Sequence, residues 1–347
     1  MTFFAVTVLS ANGIGVENPV ESPASYRPAN LGKVWRVERP GVVRQFVPEG
    51  NQVAQMVNLL VVRATESSSP EEAWRKLVSP TDTVGIKINA ASGPLLGTRR
   101  AVVEAVARGV AQAGVPSSHI IVWDRARADL ARAGFLDREG RSTSPHFQVR
   151  WVRSASDYDG QSRLYASRTG RLIWGDREFR SGLAENISNF SHLPRFVTSE
   201  LTAHIHLPAM VPAEGVGIVG AVAGLTAGAV DNWRRFFSGD SLALAEMYLH
   251  PHIGPRVRLI IIDGLIAQYA DGPDPRINDA AALGLLLGGF DPIALDQVAL
   301  ERIDGLRSQR RWLPIRDRAT YLSLGGAAWN RAATACCDWL VSGLPRC

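Results

Sequence analysis

Two short apolar runs on either side of one helical segment restrict the fold of this 347-residue chain more than any other feature. Residues 82–90, DTVGIKINA, and residues 119–124, HIIVWD, are rich in β-branched side chains and predict buried strands. Between them, residues 98–114 have helical spacing, with Thr98 as the predicted N-cap and Gly114 as the C-terminal stop. Strand, helix and strand in this order predict a right-handed βαβ unit with parallel strands.

Further apolar runs continue this pattern along the chain. Buried strands are predicted at residues 201–210, 256–265 and 283–289. Helices are predicted in NQVAQMVNLLVVRAT and in SPEEAWRKLV, which opens with a Ser-Pro-Glu-Glu start signal. Because uninterrupted apolar strands need cover on both faces, the sequence predicts an α/β fold: a three-layer, mostly parallel sheet with helices on both faces.

The domain organisation is predicted as an extended lead-in over residues 1–50, a single α/β domain over 51–330 and a C-terminal tail over 331–347. A polar, turn-rich stretch at about 140–195 predicts a small antiparallel insertion, with short strands in FQVRWV, RLIWG and EFRSGLA. The start, MTFFAVTVLSANG, is either a first strand or a degenerate export signal that lacks a positive n-region. We favour an exported or periplasmic location over a cytoplasmic one. The sequence contains no run of 18 apolar residues, so no transmembrane helix is predicted.

Charge and cysteine content exclude several classes of function. The net charge is +5, but the arginines are scattered and no nucleic-acid recognition motif accompanies them, so no nucleic-acid partner is expected. Only three of the 38 basic residues are lysines: Lys33, Lys76 and Lys87. The three cysteines, at 336, 337 and 347, do not have the spacing of a zinc ribbon or an iron–sulfur motif.

Polar residues gather where the predicted strands end. Because the carboxyl ends of parallel strands share one edge, where ligands bind, these side chains predict a site. The predicted catalytic residues are Lys87, Asp263 and Asp296. The predicted ligand-binding residues are Asn89, Asp124, Arg125, His206 and Asp291.

Several of these residues have a structural alternative. Asp291 precedes Pro292 and so suits an N-cap. Asp296 lies inside a helix and is expected to face either the sheet edge or a buried arginine. Lys87 stands between two isoleucines in mid-strand, so it either functions in the site or forms a structural ion pair with an aspartate.

The four histidines of the motifs HIH and LHPH present a similar choice. His204 and His206 alternate on a strand and are expected to point to one face, opposite Ile205. Together with His250 and His252 they are candidate metal ligands, although satisfied or exposed histidines are the favoured interpretation.

Residues 214–224, EGVGIVGAVAG, contain the spacing G-x-G-x-x-G, which is typical of a dinucleotide-binding turn. Pro208 and Pro212 interrupt the approach to it, and Asp231 follows too soon to bind a ribose. We therefore do not expect NAD or FAD and interpret the segment as a small-residue helix packed on the sheet. Phosphate binding at the N-terminus of that helix is the alternative.

The order VGIKIN, HIIVWDR, GAVDN, LIIIDGLIAQYADGP and GGFDPIALD over residues 82–306 resembles the domain of unknown function 362 family. The resemblance implies an α/β architecture; some members are exported and some are fused to ferredoxin-like iron–sulfur domains. Two family features are absent. Met210 and Val211 stand where the family has a lysine, and Ala223 and Gly224 stand where it has a Lys-Asn pair.

The predicted function is an enzyme or degenerate enzyme that acts on a small anionic molecule. Lys87 would bind or activate an anionic group, and the aspartates would bind a divalent metal or move protons. One alternative is a non-catalytic binding protein of the cell envelope. The other, implied by the family fusions, is a redox partner of a separate iron–sulfur protein.

Overall fold

The computed structural model describes residues 32–164, 190–237, 241–271, 275–323 and 337–340. Its strands are β1 Val34–Glu38, β2 Val43–Arg44, β3 Val47–Pro48, β4 Val84–Ile88, β5 Ile120–Trp123, β6 Gln148–Arg150, β7 Ala203–Leu207, β8 Pro212–Ala213, β9 Gly217–Ile218, β10 Val257–Gln268, β11 Ala280–Gly289 and β12 Cys337–Leu340. Its α-helices are α1 Gly50–Ala64, α2 Pro70–Leu77, α3 Gly93–Leu96, α4 Arg100–Gln112, α5 Arg127–Arg132, α6 Arg195–Ser199, α7 Ala221–Leu225, α8 Leu242–Tyr248 and α9 Pro292–Gln309.

Eight of these strands form one sheet in the order β12-β1-β11-β10-β7-β4-β5-β6. The five strands from β10 to β6 are mutually parallel, and β12 is parallel to β1. Only β11, among the strands described, runs against both of its neighbours. The predicted mostly parallel α/β sheet is therefore confirmed, including the parallel β4–α4–β5 unit.

Helices cover both faces of the sheet. Because successive strand residues point to opposite sides, the strands contribute to two apolar clusters, one on each face. Ile86 and Ile205 belong to the apolar cluster packed under α1, α2 and α4. Trp123 and Ile262 belong to the cluster on the opposite face, which contains residues of α7, α8 and α9. The predicted three-layer arrangement is confirmed.

The predicted helices α1, α2 and α4 are confirmed, but the predicted cap of α4 is wrong. The Thr98 hydroxyl group accepts a hydrogen bond from the Asn89 amide and donates one to the Leu207 carbonyl oxygen. It thus ties β4 to β7, and α4 begins at Arg100. Gly114, with a φ of +101°, does end this helix as predicted.

Three strands lie in segments for which the sequence predicted something else. Residues 148–150, in the predicted antiparallel insertion, instead extend the central sheet parallel to β5. Strand β1 lies in the predicted lead-in and β12 in the predicted tail. The predicted strands at 171–175 and 178–184 and the candidate export signal lie outside the described residues. Small antiparallel pairs are formed by β2 with β3 and by β8 with β9.

Across the part of the chain that the structure describes, no helix has the length and apolar character needed to cross a membrane.

Candidate functional site

A cavity of about 1140 Å³ opens at the carboxyl ends of β4, β5 and β7. Five of the predicted site residues line it: Lys87, Asn89, Asp124, Arg125 and His206. They come from three parallel strands or from the residues that directly follow them, as the strand-end argument predicted.

Two of the lining residues, Lys87 and Asp124, form a buried ion pair. Lys87 is only 2% exposed, and its Nζ donates hydrogen bonds to Asp124 Oδ1 at 2.9 Å and to the Ile88 carbonyl oxygen at 2.7 Å. Asp124 is fixed in turn by the backbone amides of Ala90 and Arg125, each at 2.7 Å. Burial lowers the pKa of Lys87, and the nearby Asp124 charge opposes that change. Lys87 thus forms an ion pair and also lines the cavity.

His206 lies beside this pair, because β4 and β7 place Lys87 and His206 in register on adjacent strands. The histidine is 1% exposed, and burial together with the Lys87 charge holds its pKa well below the usual value. Its Nδ1 has no hydrogen-bond partner among the described residues. A Cβ at Gly224 would lie 2.8 Å from His206 Nε2, so a glycine there makes room for the ring.

The other histidines of the two motifs are not brought into the cavity. His204 Nε2 donates to the carbonyl oxygen of His252 at 2.9 Å, and burial lowers the pKa of His204 to about 4. The rings of His250 and His252 lie 5.4 Å apart. Within the described ranges, no group of three or more histidine, cysteine or acidic side chains is arranged to hold a metal ion.

Asp291 and Asp296 lie elsewhere because the strand before them is antiparallel. Since β11 runs against β10, its carboxyl end is at the opposite edge of the sheet, and the prediction that both aspartates share the edge with Lys87 is wrong. Asp291 caps α9 by accepting from the amides of Ile293 and Ala294, the structural alternative that the sequence offered.

Asp296 and Asp263 also bind backbone groups rather than line the cavity. Asp296 accepts hydrogen bonds from the amides of Ala221 and Val222 and, at 2.9 Å, from the Tyr321 hydroxyl group. Burial raises its pKa to about 7. Asp263 is fully buried at the first turn of α4, where it accepts from the Arg99 amide at 2.7 Å.

The glycine-rich segment forms a hairpin and a short helix. Gly215 and Gly217, with φ of +76° and +82°, belong to the β8–β9 hairpin, which is separate from the central sheet. The five residues of α7 are all buried, so the interpretation as a packed small-residue helix is confirmed. The Asp296 carboxylate takes the first amides of α7, where a phosphate would otherwise bind.

Sequence reasoning missed the rest of the cavity wall, which carries Arg234, Arg276, Arg318, Trp233 and Phe237. These residues lie outside the predicted strand ends, so the periodicity argument could not find them. The basic and aromatic run NWRRFF at 232–237 is the local signal that could have indicated part of this wall.

Trp233 contacts two of the arginines. The Arg125 guanidinium lies 4.5 Å from the centroid of the indole ring and donates to the Val230 carbonyl oxygen at 3.0 Å. The Arg234 guanidinium lies 4.9 Å from the same ring. Both are distances of cation–π contact, so the ring orients two positive charges in the wall of the cavity.

Residues 84–301 match the family described as Domain of unknown function (DUF362). Among solved structures, the chain is similar to a structural-genomics crystal structure of a Thermotoga maritima protein, with 9% identity and a TM-score of 0.42. That alignment covers 76% of this chain and 59% of the Thermotoga chain, so this chain spans less than two thirds of its neighbour. No curated protein matches. Since the family match spans most of the sheet and its helices, the chain belongs to the DUF362 family.

Proposed function

We propose that this chain is an enzyme, or a degenerate enzyme, that binds a small anionic molecule in the cavity at the carboxyl ends of β4, β5 and β7. The observation that carries the proposal is the charge on the cavity wall. Five cationic side chains line the cavity: Lys87, Arg125, Arg234, Arg276 and Arg318.

The carboxylates that share the wall are largely neutralised by partners. Asp124 pairs with Lys87. Asp129 pairs at 2.8 Å with Arg132, which does not itself line the cavity. Asp271 pairs with Arg318 at 2.9 Å and also lies 3.4 Å from Arg307. The remaining carboxylate, Glu214, is exposed. Lys87 and Arg318 are themselves the partners of two of these carboxylates, so the excess positive charge of the wall comes from Arg125, Arg234 and Arg276. The wall therefore favours an anionic ligand, with the half-buried Arg125 beside the Lys87–Asp124 pair as its first contact.

A non-catalytic binding protein is the second candidate, and one observation favours it. Val211 and Gly224 both line the cavity, and these are positions where the family resemblance leads us to expect a lysine and an asparagine. A cavity wall with small or apolar side chains in place of such groups would still bind a ligand but would lack the groups needed for catalysis.

A thermal-shift screen tests the proposal. Inorganic phosphate, small carboxylates, nucleotides and divalent metals are added to the wild type, to Arg125→Gln and to Arg108→Gln, an exposed arginine of α4 remote from the cavity. A ligand at a hundredfold excess over its Kd stabilises a protein by about 2.7 kcal/mol. We expect an anion to stabilise the wild type and Arg108→Gln and to lose its effect in Arg125→Gln. An anion that stabilises all three equally would contradict the proposed site.

A further inference from the structure

We propose that Lys87 reacts through its amine, forming an imine with the carbonyl carbon of a small 2-oxo acid bound in the cavity. This inference rests on the proposed function, because the carboxylate of the oxo acid is the anion that the basic wall binds. It adds the class of the ligand and a covalent step.

The choice of amino acid at position 87 is the first argument. The chain has 38 basic residues and only three lysines, so its positive charge is carried almost entirely by arginine. The buried partner of Asp263 is an arginine, Arg99 at the start of α4, which shows that this fold accommodates a guanidinium in a buried ion pair. A lysine offers what arginine does not: it can lose its proton and attack a carbonyl carbon.

The surroundings of Lys87 are the second argument. Two hydrogen bonds of Nζ are accounted for by Asp124 and the Ile88 carbonyl oxygen, whereas an ammonium group has three donors. The side chain lines the cavity although it is almost fully buried, and burial of this kind favours the neutral amine. Its partner Asp124 is a carboxylate at 2.9 Å, within reach of a proton that leaves Nζ.

The chemistry balances with the groups present. The Lys87 ammonium gives one proton to Asp124, and the free amine adds to the carbonyl carbon to form a carbinolamine. The hydroxyl group then leaves as water with the proton returned from Asp124, which gives a protonated imine. The cation that results has the same charge as the original ammonium, so Asp124 has a counter-ion whenever it is ionised and is protonated while the carbinolamine is neutral. No oxidant or reductant is needed.

Two neighbours suit a 2-oxo acid in particular. Arg125 directly follows Asp124 in the chain and lines the same cavity, where its guanidinium can pair with the carboxylate of the acid. His206 lies next to Lys87 on the adjacent strand, with a low pKa and an Nδ1 that has no hydrogen-bond partner within the described ranges. It is therefore a neutral ring beside the reacting amine and adds no second positive charge there.

Borohydride trapping tests the inference directly. The full chain is incubated with pyruvate, glyoxylate or 2-oxoglutarate, reduced with sodium borohydride and mapped by peptide mass spectrometry. Since the chain has three lysines, the assignment is unambiguous. We expect one reduced oxo-acid adduct, on Lys87, and none on the exposed Lys33. Acetone, which has a carbonyl but no carboxylate, should give a much weaker adduct.

Two matched variants complete the test. Lys87→Arg keeps the charge and the partner Asp124 but cannot form an imine, so its adduct should be lost. Lys76→Arg changes a lysine of α2 that pairs with Glu72, so its adduct on Lys87 should remain. Thermal unfolding checks that each variant folds. If Lys87→Arg does not fold, the inference is tested by the wild type alone, through the lysine on which its adduct is found. Equal labelling of all three lysines would overturn the inference.

Calorimetry with the same oxo acids separates this inference from the proposed function. Binding to the wild type without a trapped adduct would overturn imine formation and leave anion binding intact. Absence of both binding and adduct for these acids would overturn the inference. Absence of binding for every anion of the thermal-shift screen would overturn the proposed function as well.

Discussion

The Asp263 carboxylate on β10 caps helix α4 from 164 residues away in the chain, by accepting a hydrogen bond from the Arg99 amide at 2.7 Å. The Arg99 side chain pairs with the same carboxylate and donates to the carbonyl oxygens of Gly97, Leu95 and Ile266. One buried aspartate therefore fixes both the start of the helix that connects β4 to β5 and the loop that leads into it.

The first prediction concerns this contact. Asp263→Asn leaves the Arg99 guanidinium buried without its counter-ion, and breaking a buried pair in this way costs about 3–5 kcal/mol. We expect the free energy of unfolding, measured by urea titration, to fall by that amount. Asp317→Asn, at an exposed position, is the control and should change it by less than about 0.5 kcal/mol. A small effect at Asp263 would mean that the three carbonyl groups alone hold Arg99.

A second prediction follows from the raised pKa of Asp296, about 7. An unfolded chain ionises this carboxyl group near pH 3.8, the ordinary value, while the folded chain holds its proton up to about pH 7. The protonated fold is therefore favoured fully below pH 3.8, and this contribution is lost as the pH rises towards 7. Relative to Asp296→Asn, the wild type should lose stability by up to about 1.4 kcal/mol per pH unit in that window.

Chemical denaturation of both proteins at several pH values measures this difference. The Asn variant is the reference because two other buried carboxyl groups, those of Asp263 and Asp291, also have raised pKa values and titrate in both proteins. A constant difference between pH 4 and 7 would show that the three hydrogen bonds to Asp296 keep it ionised throughout.

The local parts of the fold could be predicted from the sequence, and the long-range contacts could not. The strands around Lys87 and Asp124 have apolar runs that only a buried strand explains, so the site at their ends followed from them. The direction of a strand leaves no such pattern. The apolar run at 283–289 predicts a buried strand but does not indicate whether that strand is parallel or antiparallel to its neighbours. Its antiparallel direction is what separates Asp296 from Lys87.

The helix caps show the same limit. Asp291 was identifiable because its cap is local and Pro292 follows it. Thr98 fitted the same rule, but its hydroxyl group bridges β4 and β7 and the cap comes from Asp263. A tertiary contact replaced the local one, and no spacing within α4 could reveal it. Arg318 escaped prediction for a similar reason, since it reaches the cavity from a single 3-10 turn, Arg316–Arg318, that no strand-end pattern indicates.

A third prediction uses two glycines in different surroundings. A Cβ at Gly224 would lie 2.8 Å from His206 Nε2, so Gly224→Ala should displace the buried ring and destabilise the protein by roughly 1–3 kcal/mol. Gly305 lies on the exposed side of α9, and no atom of the described residues lies within 4 Å of a Cβ built there. Gly305→Ala should therefore stabilise the protein by up to about 1 kcal/mol, through helix propensity. Urea titration of both variants checks the two signs, and equal effects would contradict the close contact with His206.

The last prediction concerns Trp233, whose ring contacts the Arg125 guanidinium at 4.5 Å in the cavity wall. Trp233→Leu removes this contact, worth about 0.5–1 kcal/mol at a partly exposed site, and leaves Arg125 free to adopt other rotamers. For an anion identified in the thermal-shift screen, we expect calorimetry to show a Kd weakened roughly two- to fivefold.

Trp151→Leu is the matched control for that measurement. It removes a similar contact, with the Arg127 guanidinium at 5.8 Å, and neither residue lines the cavity. Trp233→Leu loses contacts with two guanidinium groups and Trp151→Leu loses one, more distant contact. Only Trp233→Leu should weaken anion binding, because only its ring contacts arginines of the cavity wall. Equal losses of affinity would mean that the effect is general to the fold, and an unchanged Kd in both would mean that the anion does not contact Arg125.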